Sequence, residues 1–379
     1  MAAETRSPNR PDSRLYGLDQ ARAVAILAMM VFHFGEGVFK ELPQLEALRT
    51  PVLWFGRMAT PAFIVVFGVT AGFVFLPKFI RGEIATTSSR LWRRAGWILF
   101  CSVLIAIPVW IRFGVQGQSG AWRWGFELYS VLLFYALALA ILPWQLRFLS
   151  QQTELRALLM GIVFWLIGAQ GFHLWPEAPP SSSEFGRMML MSGSYAYFQM
   201  MGTAFLAMPI GLQLKKARDE RRDGMFFLNL LGAGLFLSAL GALWGTAIGE
   251  YEPAAIVAGA LRVPARAWYF LHFGAMALVW ISVLELLTRG VRWLRAPGYV
   301  LALFGQTSLV LFTGHMFVLP TLDVIKHLTP LHGAAKVVVA FVPFVVFCAL
   351  VMYGRHRRLQ RDSVVRSERP APQTAVAVG

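Results

Sequence analysis

The sequence predicts an all-α, multi-pass integral membrane protein built as a bundle of about ten transmembrane helices. Hydrophobic residues make up 57% of the 379 residues and charged residues only 15%, whereas soluble domains carry about 25% charged residues. Ten apolar runs are each close to the length of about 20 residues that a helix needs to cross a hydrocarbon core. Lys and Arg residues also concentrate in alternate connections between these runs, as they do in multi-pass membrane proteins.

The ten runs divide the chain into a membrane domain with a polar tail at each end. We expect a cytoplasmic tail over residues 1–17, a transmembrane domain over 18–353 and a basic cytoplasmic tail over 354–379. The N-terminal tail is basic and contains Pro and Ser, a composition typical of disordered segments. The predicted spans are roughly 19–39, 59–78, 94–114, 125–143, 157–174, 194–213, 225–247, 267–288, 298–320 and 334–353.

The distribution of positive charge predicts the orientation of the chain. Of the 35 Lys and Arg residues, 24 fall in segments that are cytoplasmic if the N-terminus is inside. The outer loops then hold 10, and Arg22 lies within the first span. Because cytoplasmic loops carry the excess of Lys and Arg, we expect a protein of the cell (inner) membrane with both termini in the cytoplasm.

Composition also limits the classes of partner. A net charge of +15 would suggest nucleic acid as a partner in a soluble protein. In a multi-span chain we attribute it to cytoplasmic loops, so we expect the lipid bilayer and no nucleic acid. The two cysteines, Cys101 and Cys348, both fall inside apolar runs. They therefore suggest neither a disulfide framework nor a metal site.

Four ionisable residues mark one stripe of the first span. A helix turns about 100° and rises about 1.5 Å per residue, so His33 returns to within about 20° of the face of Arg22, about 16 Å further along. Asp19 lies one turn before Arg22, and Glu36 lies one turn beyond His33. Ionisable groups inside a membrane are costly and usually face a protein or water-filled interior. The stripe therefore indicates a functional site.

A structural interpretation of the same stripe stays open. Asp19 and Arg22 could form an ion pair at the membrane interface, and His33 could bond a neighbouring helix. On that interpretation the first span carries no chemistry.

The segment LDQARAVAILAMMVFHF resembles the first helix of the membrane-bound acyltransferase type 3 family. The signature of that family is Arg, ten residues and then His, which fall here on Arg22 and His33, with Leu18-Asp19 before them. The family more often has Gly after the Arg, where this chain has Ala23. Glucan succinyltransferases and heparan N-acetyltransferases share a similar opening, so the resemblance points to a superfamily more firmly than to one branch.

Two further segments carry the resemblance through the second and third spans. FGVTAGFVF is similar to the family's FFxLSGF segment, with Thr70-Ala71-Gly72 where Leu-Ser-Gly is usual. Small residues allow close helix approach, and we favour packing over chemistry for this segment. In SSRLWRRAGW, Arg90 and Arg93 reproduce the family's RxxR, for which the resemblance implies contact with the acyl donor. Arg recognises phosphate bidentately, but Arg flanking a span is also a common topology signal.

The ninth predicted span carries the last motif. In FGQTSLVLFTGHMFVLP, Ser308 and His315 resemble the family's SYxxYLxH pattern, with Leu309 and Phe312 in place of the tyrosines. Glucan succinyltransferases more often carry SLxxF there. His33 lies 14 residues into the first span and His315 lies 17 into the ninth, and both spans run outward. We therefore expect the two imidazoles at similar depth, within reach of one cavity.

The resemblance implies an O-acyltransferase that moves an acetyl, succinyl or similar group from cytosolic acyl-CoA to a hydroxyl of an extracytoplasmic carbohydrate. Acyl-CoA would be a donor substrate, and no permanently bound cofactor is expected. His33 would act as general base or form a transient acyl-histidine, since imidazole titrates near working pH. The predicted site residues are His33, Arg22 and Asp19 for catalysis, Arg90 and Arg93 for the donor, and His315, Ser308 and Glu36 for the substrate.

A transporter or flippase of a lipid-linked or polar substrate is the competing class. Buried Arg, His and Asp would then form a proton or substrate path. Against it, the sequence shows no repeat-related pair of interrupted spans, which many secondary carriers have. A purely structural protein is a more distant alternative, because it gives no reason for the stripe on the first span.

Overall fold

A computed structural model describes residues 15–115, 130–151, 153–175, 182–259, 266–316 and 332–368. Within these residues the chain is helical and contains no β-strand, which confirms the predicted all-α class. Alpha-helices satisfy every backbone hydrogen bond within one segment, as a span in lipid requires. The apolar runs of the sequence therefore fold as helices along most of the chain.

Fifteen α-helices fall within the described residues, joined by short 3₁₀ and π segments. The 3₁₀ segments are Pro43–Leu48 and Arg292–Leu294, and the π segments are Ala71–Phe75 and Met188–Ser192. The α-helices are α1 (Tyr16–Glu41), α2 (Arg49–Arg57), α3 (Ala59–Thr70), α4 (Leu76–Ile80), α5 (Ile84–Val115), α6 (Val131–Leu149), α7 (Thr153–Leu174), α8 (Ser182–Arg187), α9 (Tyr197–Asp219), α10 (Asp223–Ala247), α11 (Pro253–Ala258), α12 (Ala267–Gly290), α13 (Arg295–Gln306), α14 (Ser308–Met316) and α15 (Gly333–Glu368).

The number of spans is only partly confirmed. By length and composition, seven helical segments among the described residues can cross a membrane, or eight if one bent pair counts as a span. Two more of the predicted runs correspond to the long helices α5 and α9, which are not among the seven. The run 94–114 lies within α5, and the run 194–213 begins three residues before α9. The protein is thus an all-helical membrane bundle, and exactly ten spans are not confirmed.

Several predicted boundaries shift or fall outside the described residues. The fourth predicted run begins at 125, whereas α6 begins at Val131, after residues that the structure does not describe. The last four residues of the ninth run and most of the N-terminal tail also lie outside the described residues. At the other end, α15 continues from Gly333 to Glu368 and passes the predicted start of the basic tail at 354 without a break.

Helix α1 lies at the centre of the bundle and packs against α2, α3, α12 and α13. Its first turn is fixed by Glu285 of α12, whose buried carboxylate accepts a hydrogen bond from the Gly17 amide. A carboxylate at a helix N-terminus satisfies an otherwise unpaired N–H and complements the helix dipole. At the other end, Glu41 pairs with Lys336 of α15. These contacts hold the first-span stripe in register with its neighbours.

Glycines bring α3 and the π segment after it against α9. A Cβ at Gly68 would overlap the carbonyl oxygen of Ala204, and a Cβ at Gly72 would overlap that of Met208. In the facing helix, Gly211 approaches the Val69 carbonyl in the same way. Close backbone approach of this kind requires small residues. The packing interpretation of the Thr70-Ala71-Gly72 segment is thereby confirmed for Gly72.

The ninth predicted span is broken. Segments 292–306 and 308–316 meet at a bend of 66° around Thr307, whose hydroxyl bonds back to the Leu303 carbonyl (3.0 Å). Just before the bend, Gly305 packs against the Asp19 backbone so closely that a Cβ would overlap the Asp19 carbonyl oxygen. The break therefore lies beside the first turns of α1, where the charged stripe begins.

Candidate active site

A cavity of about 500 Å³ lies between α1, α3, α5, α6 and the bend of the ninth span. This volume is within the range of about 300–1,000 Å³ usual for small-molecule sites. Its polar and charged lining comes from Asp19, Arg22, Thr70, Arg94, Tyr135, Gln306, Ser308 and Arg355. Its remaining walls are mostly apolar and aromatic, as a site for a partly apolar ligand requires.

The Arg22 side chain is held in place at this cavity. Its guanidinium donates to the Asp19 carboxylate (2.9 Å) and to the Thr70 hydroxyl (2.6 Å). Thr70 in turn donates to the Val66 carbonyl (2.7 Å). Asp19 is only 4% exposed, whereas the Arg22 side chain is 27% exposed, so the ion pair is partly buried. The chain therefore fixes a cation at the cavity wall, although the ion pair also agrees with the structural interpretation of these two residues.

His33 and His315 lie side by side. The Nδ1 atom of His33 is 2.9 Å from Nε2 of His315, and the ring centroids are 5.1 Å apart. His315 is fully buried, and the rings of Phe34 and Phe312 contact it edge-on at 6.1 Å and 5.2 Å between centroids. The depth argument from the sequence, which expected both imidazoles within reach of one site, agrees with this contact.

The His33 side chain lines a second, much smaller cavity of about 30 Å³. The same chamber is lined by Arg57, Thr60 and Tyr195. The Arg57 guanidinium lies 3.9 Å from the centroid of the Phe32 ring and donates through Nε to a backbone carbonyl of α11 (3.0 Å). A buried positive charge thus lines the same chamber as His33.

The four ionisable residues of the first-span stripe do not all line the same cavity. Asp19 and Arg22 line the large cavity, and His33 lines the small chamber. Glu36 lines neither; it accepts two hydrogen bonds in a bidentate ion pair with Arg49 of α2 (2.7 Å from Nη2 and 3.2 Å from Nε) at a partly exposed position. The predicted substrate role of Glu36 therefore stays a prediction without a cavity to support it.

The predicted donor residues Arg90 and Arg93 are exposed on α5 and do not line the large cavity. The next residue, Arg94, does line it, and so does Arg355 of α15, which donates to the Gln306 side chain (3.2 Å). Ser308 also lines it, and its predicted substrate role stays a prediction. The roles of Arg90 and Arg93 stay predictions, and the cavity adds two cations that the motif does not include.

Sequence reasoning missed Arg94 and Arg355 for different reasons. Arg94 stands beside the RxxR motif, one helical turn after Arg90. All three arginines of this segment are exposed, and the rotation of α5 decides which of them lines the cavity. Arg355 opens a basic cluster that resembles a solvated topology signal. The last predicted span ends at residue 353, whereas α15 continues through Arg355 as one helix. A longer predicted span would have placed Arg355 on the same helix as the membrane-crossing residues.

Comparison with known families gives one match. Residues 14–179 match the family model described as heparan-alpha-glucosaminide N-acetyltransferase, catalytic. The matched part includes α1 through α7, with Asp19, Arg22 and His33, and excludes the ninth span with His315. The match supports a membrane acetyltransferase-type function and the acyltransferase branch of the predicted resemblance. Comparison with curated proteins and with solved structures gave no match.

Proposed function

We propose that this protein is an integral-membrane O-acyltransferase that moves an acyl group from cytosolic acyl-CoA to a hydroxyl of an extracytoplasmic glycan or glycolipid. The observation that carries the proposal is the imidazole pair of His33 and His315, 2.9 Å apart, with His33 lining a chamber that adjoins a cavity lined by three arginines. The family match over residues 14–179 supports the transferase class. The acyl donor, the sidedness and the acceptor are parts of the proposal.

The contact between the imidazoles selects one productive tautomer. A neutral imidazole has one N–H donor and one acceptor nitrogen. If His33 donates from Nδ1 to Nε2 of His315, its own Nε2 carries the lone pair and can act as base. If His315 donates instead, Nε2 of His33 carries the proton and cannot accept another. Catalysis by His33 therefore requires a neutral His315 with its proton on Nδ1, so that Nε2 accepts. Full burial favours the neutral form, because a buried charge is costly.

The reaction then balances around His33. Nε2 takes the proton of the acceptor hydroxyl as its oxygen attacks the thioester carbonyl, so a C–O bond forms and the C–S bond breaks. The proton passes to the leaving thiolate and gives the free thiol of CoA. In the intervening imidazolium, the Nδ1–H bond to His315 is charge-assisted and stronger than in the resting state. His315 is thus a positioning residue.

The large cavity supports the choice of an acyl-CoA donor. Arg22, Arg94 and Arg355 oppose only one carboxylate in its lining, that of Asp19. Arginines recognise phosphates well, so this region suits the phosphates of CoA. The apolar remainder suits the uncharged pantetheine arm. The distance along α1 from Arg22 to His33 is about 16 Å by helix rise, a span that an extended arm can bridge.

Inside-out membrane vesicles with and without the protein test the proposal. With radiolabelled acetyl-CoA outside, we expect protein-dependent label in a carbohydrate-containing fraction within the vesicles, released as acetate by mild alkali. Alkali lability identifies an ester, whereas a stable amide would contradict O-acylation. Equal labelling of both vesicle preparations would contradict the proposal as a whole.

The bend of the ninth span favours transport as a second candidate. Broken helices that line a binding site are a feature of many secondary carriers, although these usually come as repeat-related pairs. Among the described residues one such bent pair is found. A transporter would move its substrate unchanged, so covalent acyl transfer in the vesicle experiment separates the two candidates.

A further inference from the structure

Two side chains separate the donor cavity from the chamber of His33. Phe63 of α3 and Val131 of α6 line both the 500 Å³ cavity and the 30 Å³ chamber. They come from different helices, and both helices line the large cavity. Phe63 and Val131 therefore lie on the boundary that the arginine-bearing cavity shares with the chamber of His33.

The position of Phe63 on its helix supports this arrangement. Thr70, Phe67 and Phe63 line the cavity at helical spacing along α3, and Thr60, one turn further, lines the chamber. Thr70 bonds Arg22, and the Arg57 guanidinium, just before α3, lies over Phe32, the neighbour of His33. Helix α3 thus runs antiparallel to α1, and Phe63 lies between the levels of Arg22 and His33.

The chamber is small for an acyl group. A water molecule needs about 10–15 Å³ of such volume, so a chamber of about 30 Å³ holds about two water molecules. That corresponds to roughly the bulk of an acetyl group. A longer chain would have to displace Phe63 or Val131, and overpacking a well-filled site is unfavourable.

We propose that Phe63 and Val131 form a partition that restricts the acyl group reaching His33 to very short chains, acetyl in preference to butyryl or longer. This proposal rests on the proposed function, because it takes the large cavity as the donor site. It adds a specificity-determining pair to that site. Phe63 is the larger of the two side chains and should dominate the restriction.

Alkylation of His33 by bromoacyl-CoA tests the partition without a known acceptor. In bromoacetyl-CoA, an imidazole nitrogen displaces bromide at the α-carbon, so an N–C bond forms, bromide leaves and one proton is lost. In 2-bromohexanoyl-CoA the bromine is also on the α-carbon of the acyl group, and that carbon carries a four-carbon chain in addition. Peptide mass spectrometry of purified full-length protein measures labelling at His33, and the rate with N-acetylhistidine corrects for reagent reactivity.

For the unchanged protein we expect bromoacetyl-CoA to label His33 and 2-bromohexanoyl-CoA to label it at least ~10-fold more slowly after correction, since one excess methylene can cost ~10-fold or more in a fitted pocket. Phe63→Ala should remove most of this difference, and Phe63→Leu and Val131→Ala should each remove part of it. Phe67→Ala, on the same helix but lining only the large cavity, should leave the preference for the short chain unchanged.

The outcomes separate the two proposals. If bromoacetyl-CoA labels His33 but Phe63→Ala, Phe63→Leu and Val131→Ala all keep the original preference, the partition is overturned and the donor site stands. If Phe67→Ala relaxes the preference as much as Phe63→Ala, the restriction is not located at the partition. If bromoacetyl-CoA fails to label His33 in every variant, the donor does not reach it and both proposals are overturned. His33→Gln should abolish labelling at this position.

Discussion

The contact between His33 and His315 gives the two residues different expected roles. His33 would take the proton, whereas His315 would accept a hydrogen bond from Nδ1 of His33 and hold its ring. This assignment follows from the tautomer that leaves Nε2 of His33 basic. Substitution of His315 should therefore harm the enzyme less than substitution of His33.

We predict that His315→Ala lowers kcat of acyl transfer by about 10–100-fold, less than the full worth of a general base. His315→Gln should recover part of the activity, because its amide oxygen can accept the Nδ1–H bond. KM for the donor should change little in both variants, which a general loss of folding would not produce. If Ala and Gln variants have equal activity, His315 does not act through this hydrogen bond.

The donor arginines are the second prediction at the residue scale. Arg94→Ala and Arg355→Ala should each weaken acetyl-CoA binding by about 10-fold or more, since a hydrogen bond to a charged group contributes about 1.5–3 kcal/mol. Thermal stabilisation by acetyl-CoA measures the change. Arg147→Ala, which removes an exposed arginine outside the cavity, is the matched control.

The double variant Arg90→Ala with Arg93→Ala tests whether the donor binds the two motif arginines or the arginines that line the cavity. The resemblance assigns the donor to these two residues, and the cavity assigns it to their neighbour Arg94. Loss of stabilisation in the double variant, with full stabilisation of Arg94→Ala, would favour the motif and contradict the cavity assignment. Loss in both would place the donor phosphates across the whole basic face.

At the scale of elements, close packing of α3 against α9 should depend on glycine. Gly72→Ala would place a Cβ into the Met208 carbonyl, and this overlap is with backbone that cannot rotate away. We predict that the substitution destabilises the protein by about 1–3 kcal/mol or more, the usual cost of overpacking. Thermal unfolding in detergent, followed by size-exclusion chromatography, measures it.

Gly232→Ala provides the control within the same bundle. Gly232 lies on α10 with no atom within 4 Å of the Cβ position, so an added methyl meets open space. Alanine also has a higher helix propensity than glycine. This variant should be as stable as the unchanged protein or slightly more stable. Equal destabilisation of both variants would contradict the packing argument for Gly72.

The elements of this fold were predictable to different degrees. Apolar runs give helices because each span must satisfy its own backbone hydrogen bonds, and for that reason α1, α7, α10 and α12 were placed closely from sequence alone. The bend around Thr307 was not predicted, because hydropathy averages over the polar residues that surround it. A break in a span depends on local packing, here Gly305 against Asp19.

Two features of the candidate site were predictable from the sequence: which residues share one face of a helix, and which residues of different helices lie at the same depth. Helical phase placed Arg22 and His33 on one stripe, and depth placed His315 near His33. Which arginines line the cavity depends on how α5 and α15 rotate about their axes, which single-sequence patterns do not encode. The ion pair of Glu36 with Arg49 likewise depends on where α2 folds back.

At the scale of the whole molecule, the charge distribution predicts topology. Because the ten-span prediction places 24 of the 35 Lys and Arg residues on one side, reporter fusions at Gly224 and Gly379 should have cytoplasmic activity. A fusion near Ser182 should have extracytoplasmic activity. An extracytoplasmic result at Gly379 would contradict the even number of spans on which the sidedness of the proposed reaction depends.

The central claim is that His33 takes the proton of the acceptor hydroxyl during acyl transfer. The most direct measurement is the initial rate of acetyl transfer from labelled acetyl-CoA by His33→Ala and His33→Gln, with membrane insertion checked for each. We predict a loss of about 10²–10⁴-fold for Ala, the usual worth of general-base catalysis, and nearly the same loss for Gln, which keeps hydrogen bonding but cannot take a proton. A fully active His33→Gln protein would contradict the account and move the catalytic role to His315.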